Sequence, residues 1–168
     1  KVGSSEIGVK AAFAHTASEN QGHSNAEYDK LFEESGVLRE KTWQEFLDTS
    51  LALGNCPPLR GDNVVIITNG GGAGLLAADH FERLGMPLKE LKDISPDLRE
   101  NIRNYMPAFG SPLNPVDISG TATSDMYGGA LKTAYRDEHV DGILISVCPT
   151  AVTDVEAITE IVINIHRQ

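Results

Sequence analysis

Residues 63–74, NVVIITNGGGAG, limit the folds open to this chain more than any other stretch. Val64, Val65, Ile66, Ile67 and Thr68 are β-branched without interruption, so no polar face is left, and the pattern is that of a strand buried on both sides. Four glycines within residues 70–74 then permit a tight turn, and Leu76, Ala77, His80, Phe81 and Leu84 follow at helical spacing. A doubly buried strand that feeds a helix is the unit of a parallel sheet, because parallel neighbours need a crossover and helices supply it.

The same pattern returns near the end of the chain. Residues 141–147, DGILISV, read as a second fully buried strand, and TDVE at 153–156 reads as a capping box opening a helix with Ile158, Val162 and Ile165 inward. Between the two units, PLKEL at 87–91 reads as a short strand. SPDLRENIRNYM reads as a helix with Ser95 as its cap and Pro96 in the first helical position. NPVDIS at 114–119 reads as a third short strand, and residues 124–136 as a helix with Met126, Ala130, Leu131 and Ala134 inward. The fold class expected is α/β, a parallel sheet with helices on both faces.

The earlier part of the chain has a different character. NCPPLRGDN at 55–63 suits an exposed connection and marks a boundary. Before it, SNAE at 24–27 and TWQE at 42–45 both fit the capping box and predict two helix starts. The first helix carries Tyr28, Leu31 and Phe32 on one face and stops at Gly36; the second carries Trp43, Phe46, Leu47 and Leu51. Both faces call for a sheet, yet KVGSSEIG offers at most the tail of one strand and GVLRE a short second one. The segment therefore reads as the end of a domain, and a start at Lys1 agrees with a truncated or proteolysed chain.

Composition narrows the partners. Fourteen basic against 24 acidic residues give a net charge of -10, which disfavours nucleic acid and anionic membrane surfaces as partners. An anionic ligand then has to be held by local geometry. Cys56 and Cys148 form no metal-spacing pattern and read as free thiols of a reducing compartment, so a cytoplasmic location is expected. The apolar runs are strand-sized, too short to span a membrane.

Chemistry is suggested at three turns and one histidine. The turn at Asn69, Gly70, Gly71 and Gly72 matches neither the P-loop nor the dinucleotide fingerprint. It can still present backbone amides to an anion at a helix N-terminus, or serve only for close packing. Thr150, Ala151 and Thr153 lie at the carboxyl end of the second buried strand, where open α/β sheets place ligands, although helix capping by itself accounts for Thr153. NPVDISGTAT adds another glycine turn. His23, His80, His139 and His166 read as structural or solvated. His15, in AAFAHTAS, has only small neighbours and no triad or metal ligand beside it.

Together, KVGSSEIGVKAAFAHTA, VVIITNGGGAGLLAADHFERLG, NPVDISG and DGILISVCPTAVTDVEAI resemble the NDP-forming acyl-CoA synthetases, relatives of succinyl-CoA synthetase. The resemblance covers nearly the whole chain, with Ser4 in place of an arginine, Ala14 of a serine and Ala17 of a glycine. It implies that His15 is a phosphate carrier, taking a phosphoryl group from an acyl phosphate and passing it to a nucleoside diphosphate. It implies that the phosphate is held by Asn69, Gly70, Gly71, Gly72, Thr150, Ala151 and Thr153, with the junction at Thr150–Thr153 as the better donor. Residues 1–58 resemble the last part of the histidine-bearing, succinyl-CoA-synthetase-like domain, and 61–168 most of a second, flavodoxin-like one. The full enzyme would use acyl-CoA or CoA, phosphate, ADP or ATP and Mg2+, with an ATP-grasp domain or subunit in an oligomeric assembly. The chain itself is expected to hold no cofactor or metal and to be inactive alone. Two rivals are a noncatalytic acyl-CoA-sensing module of a protein acetyltransferase and an unrelated α/β nucleotide-binding enzyme.

Overall fold

The computed structural model describes residues 5, 7, 8, 10, 11, 14 and 25–167. The chain divides into two compact units, Lys1–Pro58 and Leu59–Gln168.

In the first unit, helix α1 spans Asn25–Glu34 and helix α2 spans Trp43–Asn55. Thr42 caps α2 as its sequence predicts: the Glu45 amide donates to Thr42 Oγ1 at 3.1 Å, and the Thr42 amide donates to Glu45 Oε2 at 2.9 Å. The bond from the Thr42 amide, above all, holds the Glu45 carboxyl below its ordinary value. Gly36 ends α1 in the left-handed region, φ 64°, and the Val37 amide returns to Phe32 O at 2.8 Å. Ser24, the other expected cap, lies outside the described residues. GVLRE is not a strand: residues 37–40 are irregular, and Arg39 instead donates to Asn25 and Asp29 on α1. KVGSSEIG is not the tail of a strand where it is described, since Ile7 and Gly8 are helical. Neither helix buries a residue, and each pairs aromatic rings along its own face: Tyr28 with Phe32 on α1 at 5.8 Å, and Trp43 stacked on Phe46 on α2 at 5.2 Å.

The second unit is built on strands β1 (Val64–Thr68), β2 (Val116–Asp117) and β3 (Gly142–Ser146), all parallel, in the order β2-β1-β3. Helix α3 (Gly71–Arg83) follows β1, short helices α4 (Leu91–Ile94) and α5 (Leu98–Arg103) precede β2, α6 (Ser124–Arg136) follows β2, and α7 (Val155–His166) follows β3. Alternation along β1 sends Val65 and Ile67 into a core shared with Leu91, Leu98, Ile102 and Tyr127. Thr68, on the other face, meets α3. Both faces of the sheet thus carry helices, and the fold is α/β.

Several expectations are corrected. PLKEL is not a strand. Residues 87–90 are irregular, and Leu91 and Ile94, three apart, bury themselves from one helical turn. Beside them the Asn114 side chain takes the place of a strand on the β1 edge. Its Oδ1 accepts from the Ile66 amide at 3.0 Å and its Nδ2 donates to Val64 O at 2.8 Å. Ser95 ends α4 rather than starting α5, because its amide is already given to Leu91 O at 2.9 Å; Asp97 is the residue before α5. The strand β3 is half-buried, not fully buried, because it has β1 on one side and no described strand on the other. On α3 the inward residues are Gly74, Ala77, Ala78 and Phe81, while Leu76, His80 and Leu84 point outward. A β-carbon at Gly74 would lie 3.0 Å from both Thr68 Cγ2 and Pro115 Cβ, and this close approach sets the rotation of the helix. Finally, Asp154 caps α7, accepting from the Ala157 amide at 3.0 Å, because the Thr153 hydroxyl is engaged elsewhere.

Candidate anion-binding site

Thr68 pairs with Asp117 on one side and with Ser146 on the other, so all three strands end level. Their loops leave the same edge of the sheet. Since β2 and β3 lie on opposite sides of β1, the crevice between β1 and β3 is a topological switch point, the place where open α/β sheets receive ligands.

Asn69, the first residue beyond β1, spans that crevice. Its Nδ2 donates to Cys148 O at 2.8 Å and to Thr153 Oγ1 at 3.2 Å. Its Oδ1 accepts from the Cys148 amide at 2.7 Å and from the Tyr127 hydroxyl at 2.8 Å. An asparagine side chain offers two donor hydrogens and two lone pairs, and all four are used. The side chain therefore acts as a brace that joins the turn after β1 to the turn after β3. Tyr127 comes from α6, is 1% exposed, and also lies 3.2 Å from Ser146 O. Burial pushes its hydroxyl well above the usual tyrosine range, outweighing the opposing bond to Asn69, so it stays a neutral donor.

Two positions of the turn leave little room for a side chain. A β-carbon at Gly70 would sit 2.3 Å from Cys148 Sγ, and one at Gly71 would sit 2.5 Å from Asp117 Oδ2. At Gly72 nothing lies within 4 Å, so the start of α3 opens outward there. Gly70 supplies no side-chain cap, and the first turn of α3 holds no acidic residue. The Gly70 amide donates to Thr68 Oγ1 at 3.0 Å and the Ala73 amide returns to Gly70 O at 2.9 Å, so the amides of Gly71 and Gly72 are the ones that can serve an external acceptor.

On the other wall, the Thr150 hydroxyl donates to Gly120 O at 3.1 Å and lies 2.7 Å from Thr153 Oγ1. Thr150 and Ala151 are exposed, and Thr153 is half-buried under Asn69. The start of α7 differs from that of α3, for Asp154 caps it and Glu156 lies in its first turn. Those carboxylates offset the helix dipole before any ligand does. The third loop contributes Gly120 and the turn at Ser119, φ 76°, where the Ser119 amide donates to Asp117 Oδ1 at 2.9 Å.

The structure thus brings together Asn69, Gly70, Gly71 and Gly72 with Thr150, Ala151 and Thr153, while His15 lies outside the described residues. Sequence reasoning missed Tyr127, whose only signal was its place on an amphipathic helix. It also missed the Cys148 peptide, since a backbone pairing leaves no mark in residue type. A groove of about 610 Å3 lies away from this edge, between α5, α6 and α7, but Tyr105 and Ile161 occupy the space beside its Gly129 and Gly128. Among the described residues no group of three or more His, Cys, Asp or Glu is placed to hold a metal ion. No described helix is long and apolar enough to cross a membrane.

Residues 64–168 match the family model of the Ligase-CoA domain. The alpha subunit of acetate--CoA ligase [ADP-forming] I of Pyrococcus furiosus is 42% identical over 100% of this chain and 35% of its own length. Acetate--CoA ligase [ADP-forming] I of Archaeoglobus fulgidus is 34% identical over 92% of this chain and 22% of its own. A solved structure of the Ca. Korarchaeum cryptofilum dinucleotide forming acetyl-coenzyme A synthetase 1, in complex with phosphate and ADP, superposes with a TM-score of 0.89. It is 32% identical, over 99% of this chain and 35% of that one. The chain thus spans about a third or less of the length of these relatives.

Proposed function

The chain belongs to the Ligase-CoA domain family, and from that premise we propose that it is part of an ADP-forming acyl-CoA synthetase. The reaction is acyl-CoA, ADP and phosphate giving acid, CoA and ATP, in either direction. Phosphate oxygen attacks the thioester carbonyl and CoA thiolate leaves, giving an acyl phosphate. An imidazole nitrogen of His15 attacks phosphorus as the carboxylate leaves, and the phosphohistidine then passes its phosphoryl group to the terminal oxygen of ADP. Imidazole suits this role because it is neutral and nucleophilic near pH 7.

The phosphoryl group brings negative charge into a protein whose net charge is already -10. The turns at Gly70–Gly72 and Thr150–Thr153 supply the compensation with backbone amides at two helix starts. The first turn of α3 holds no acidic residue of its own, although the Asp117 carboxylate stands beside Gly71, whereas Asp154 and Glu156 lie at the start of α7. Asn69 belongs to the site as the tie between the turns rather than as a ligand. The nucleotide comes from an ATP-grasp domain or subunit, CoA from a further part of the assembly, and the Mg2+ such chemistry uses is assigned to no residue here. The free thiols Cys56 and Cys148 support a reducing, cytoplasmic setting.

One observation carries this reading: Asn69 ties the turn after β1 to the turn after β3 in a chain 42% identical to an ADP-forming acetate--CoA ligase subunit. To test it, the full-length protein is incubated with ATP labelled in its terminal phosphate. Acid-labile, alkali-stable label is expected, and it disappears in His15→Asn. Label that survives the substitution refutes the role of His15.

A further inference from the structure

We infer that Tyr127 is a positioning residue of the phosphate site, fixing through Asn69 the spacing between the turn at Gly70–Gly72 and the turn at Thr150–Thr153. The inference rests on the phosphate-binding reading given above.

The hydroxyl is the informative atom. The Tyr127 ring belongs to the core and is 1% exposed, a volume that phenylalanine fills equally well. What the hydroxyl adds is confined to the ends of two strands: 2.8 Å to Asn69 Oδ1, just past β1, and 3.2 Å to Ser146 O, the last residue of β3. A single O–H therefore draws on both sides of the crevice from a third element, α6.

Its effect on Asn69 is directional. Oδ1 must face the Cys148 amide and Nδ2 must face Cys148 O for the two-point pairing to form. A second donor on Oδ1 holds the amide in that plane, and the same plane aims Nδ2 at Thr153 Oγ1, which in turn meets Thr150. The chain of contacts runs from Tyr127 through Asn69 and Thr153 to Thr150, whose hydroxyl lies at the exposed rim. None of these steps needs Tyr127 to touch phosphate.

The experiment uses the full-length enzyme in the ATP-forming direction, with phosphate, acyl-CoA and ADP varied in turn. Tyr127→Phe is expected to raise KM for phosphate about tenfold, the size of one well-placed buried hydrogen bond. KM for acyl-CoA and for ADP should stay within about twofold, because a general loss of folded enzyme changes kcat and not one KM. In the pair Tyr127→Phe with Asn69→Ala, phosphate KM should rise no further than in Asn69→Ala alone, since one residue acts through the other. If Asn69→Ala does not fold, Thr153→Val replaces it in the same cycle.

An unchanged phosphate KM in Tyr127→Phe overturns the inference, whatever happens to kcat or thermal stability. So does an equal rise in all three KM values, or strict additivity in the cycle. Failure of the underlying reading looks different and is seen without any Tyr127 variant: the unmodified enzyme shows no saturation by phosphate, and both conclusions then fall together.

Discussion

At Gly70 the space a β-carbon would need is already taken by the Cys148 sulfur, which would be 2.3 Å away. The two residues are 78 positions apart in the chain, so the clash reports directly on how closely the turns after β1 and β3 approach. Gly70→Ala should therefore destabilise the protein by about 1–3 kcal/mol, the usual cost of overpacking, and Cys148→Ala in the same chain should recover most of it. Denaturant midpoints of the two single variants and the pair check this; an additive loss in the pair would mean the clash is not the cause. The glycines were legible as a turn because their conformational freedom is a local property. Asn69 was legible only as a polar residue at a promising turn. That its side chain is spent on Cys148, Thr153 and Tyr127 depends on partners 58 to 84 positions away.

Helix α7 shows the same division between elements and their ends. Its existence follows from Ile158, Val162 and Ile165 at helical spacing, and Ile158 and Ile165 are indeed buried. Its cap did not follow, because Thr153 and Asp154 are both good caps and the local rule cannot choose between them. The choice was made when Asn69 claimed the Thr153 hydroxyl. Asp154→Ala should accordingly lower stability by about 1 kcal/mol, whereas Asp154→Asn, an equally good cap, should change it by only a few tenths. Thermal or denaturant unfolding of both variants measures the difference, and equal losses would place the cap elsewhere. The rotation of α3 was likewise decided outside the helix. Leu75 and Leu76 are the larger apolar residues, yet Gly74 faces the sheet because Thr68 and Pro115 stand where any side chain would have to go.

Over the whole molecule, the division at Pro58–Leu59 falls in a stretch that is irregular from Cys56 to Asn63 and exposed from Asn55 to Asp62. Trypsin under native conditions should cut first after Arg60, since exposed backbone without regular hydrogen bonds is the preferred site of nicking. Mass spectrometry should find a product starting at Gly61, and first cuts inside α6 or α7 would contradict the division. The alternation of buried strands and helices was readable in the sequence, because period and β-branching are properties of short segments. So were the boundaries of α6 and the capping box at Thr42–Glu45. The order β2-β1-β3, the level strand ends and the Asn69 brace could be decided only in three dimensions. Each is a relation between segments far apart in the chain, and a hydrogen bond to a distant peptide is recorded in no single residue's identity.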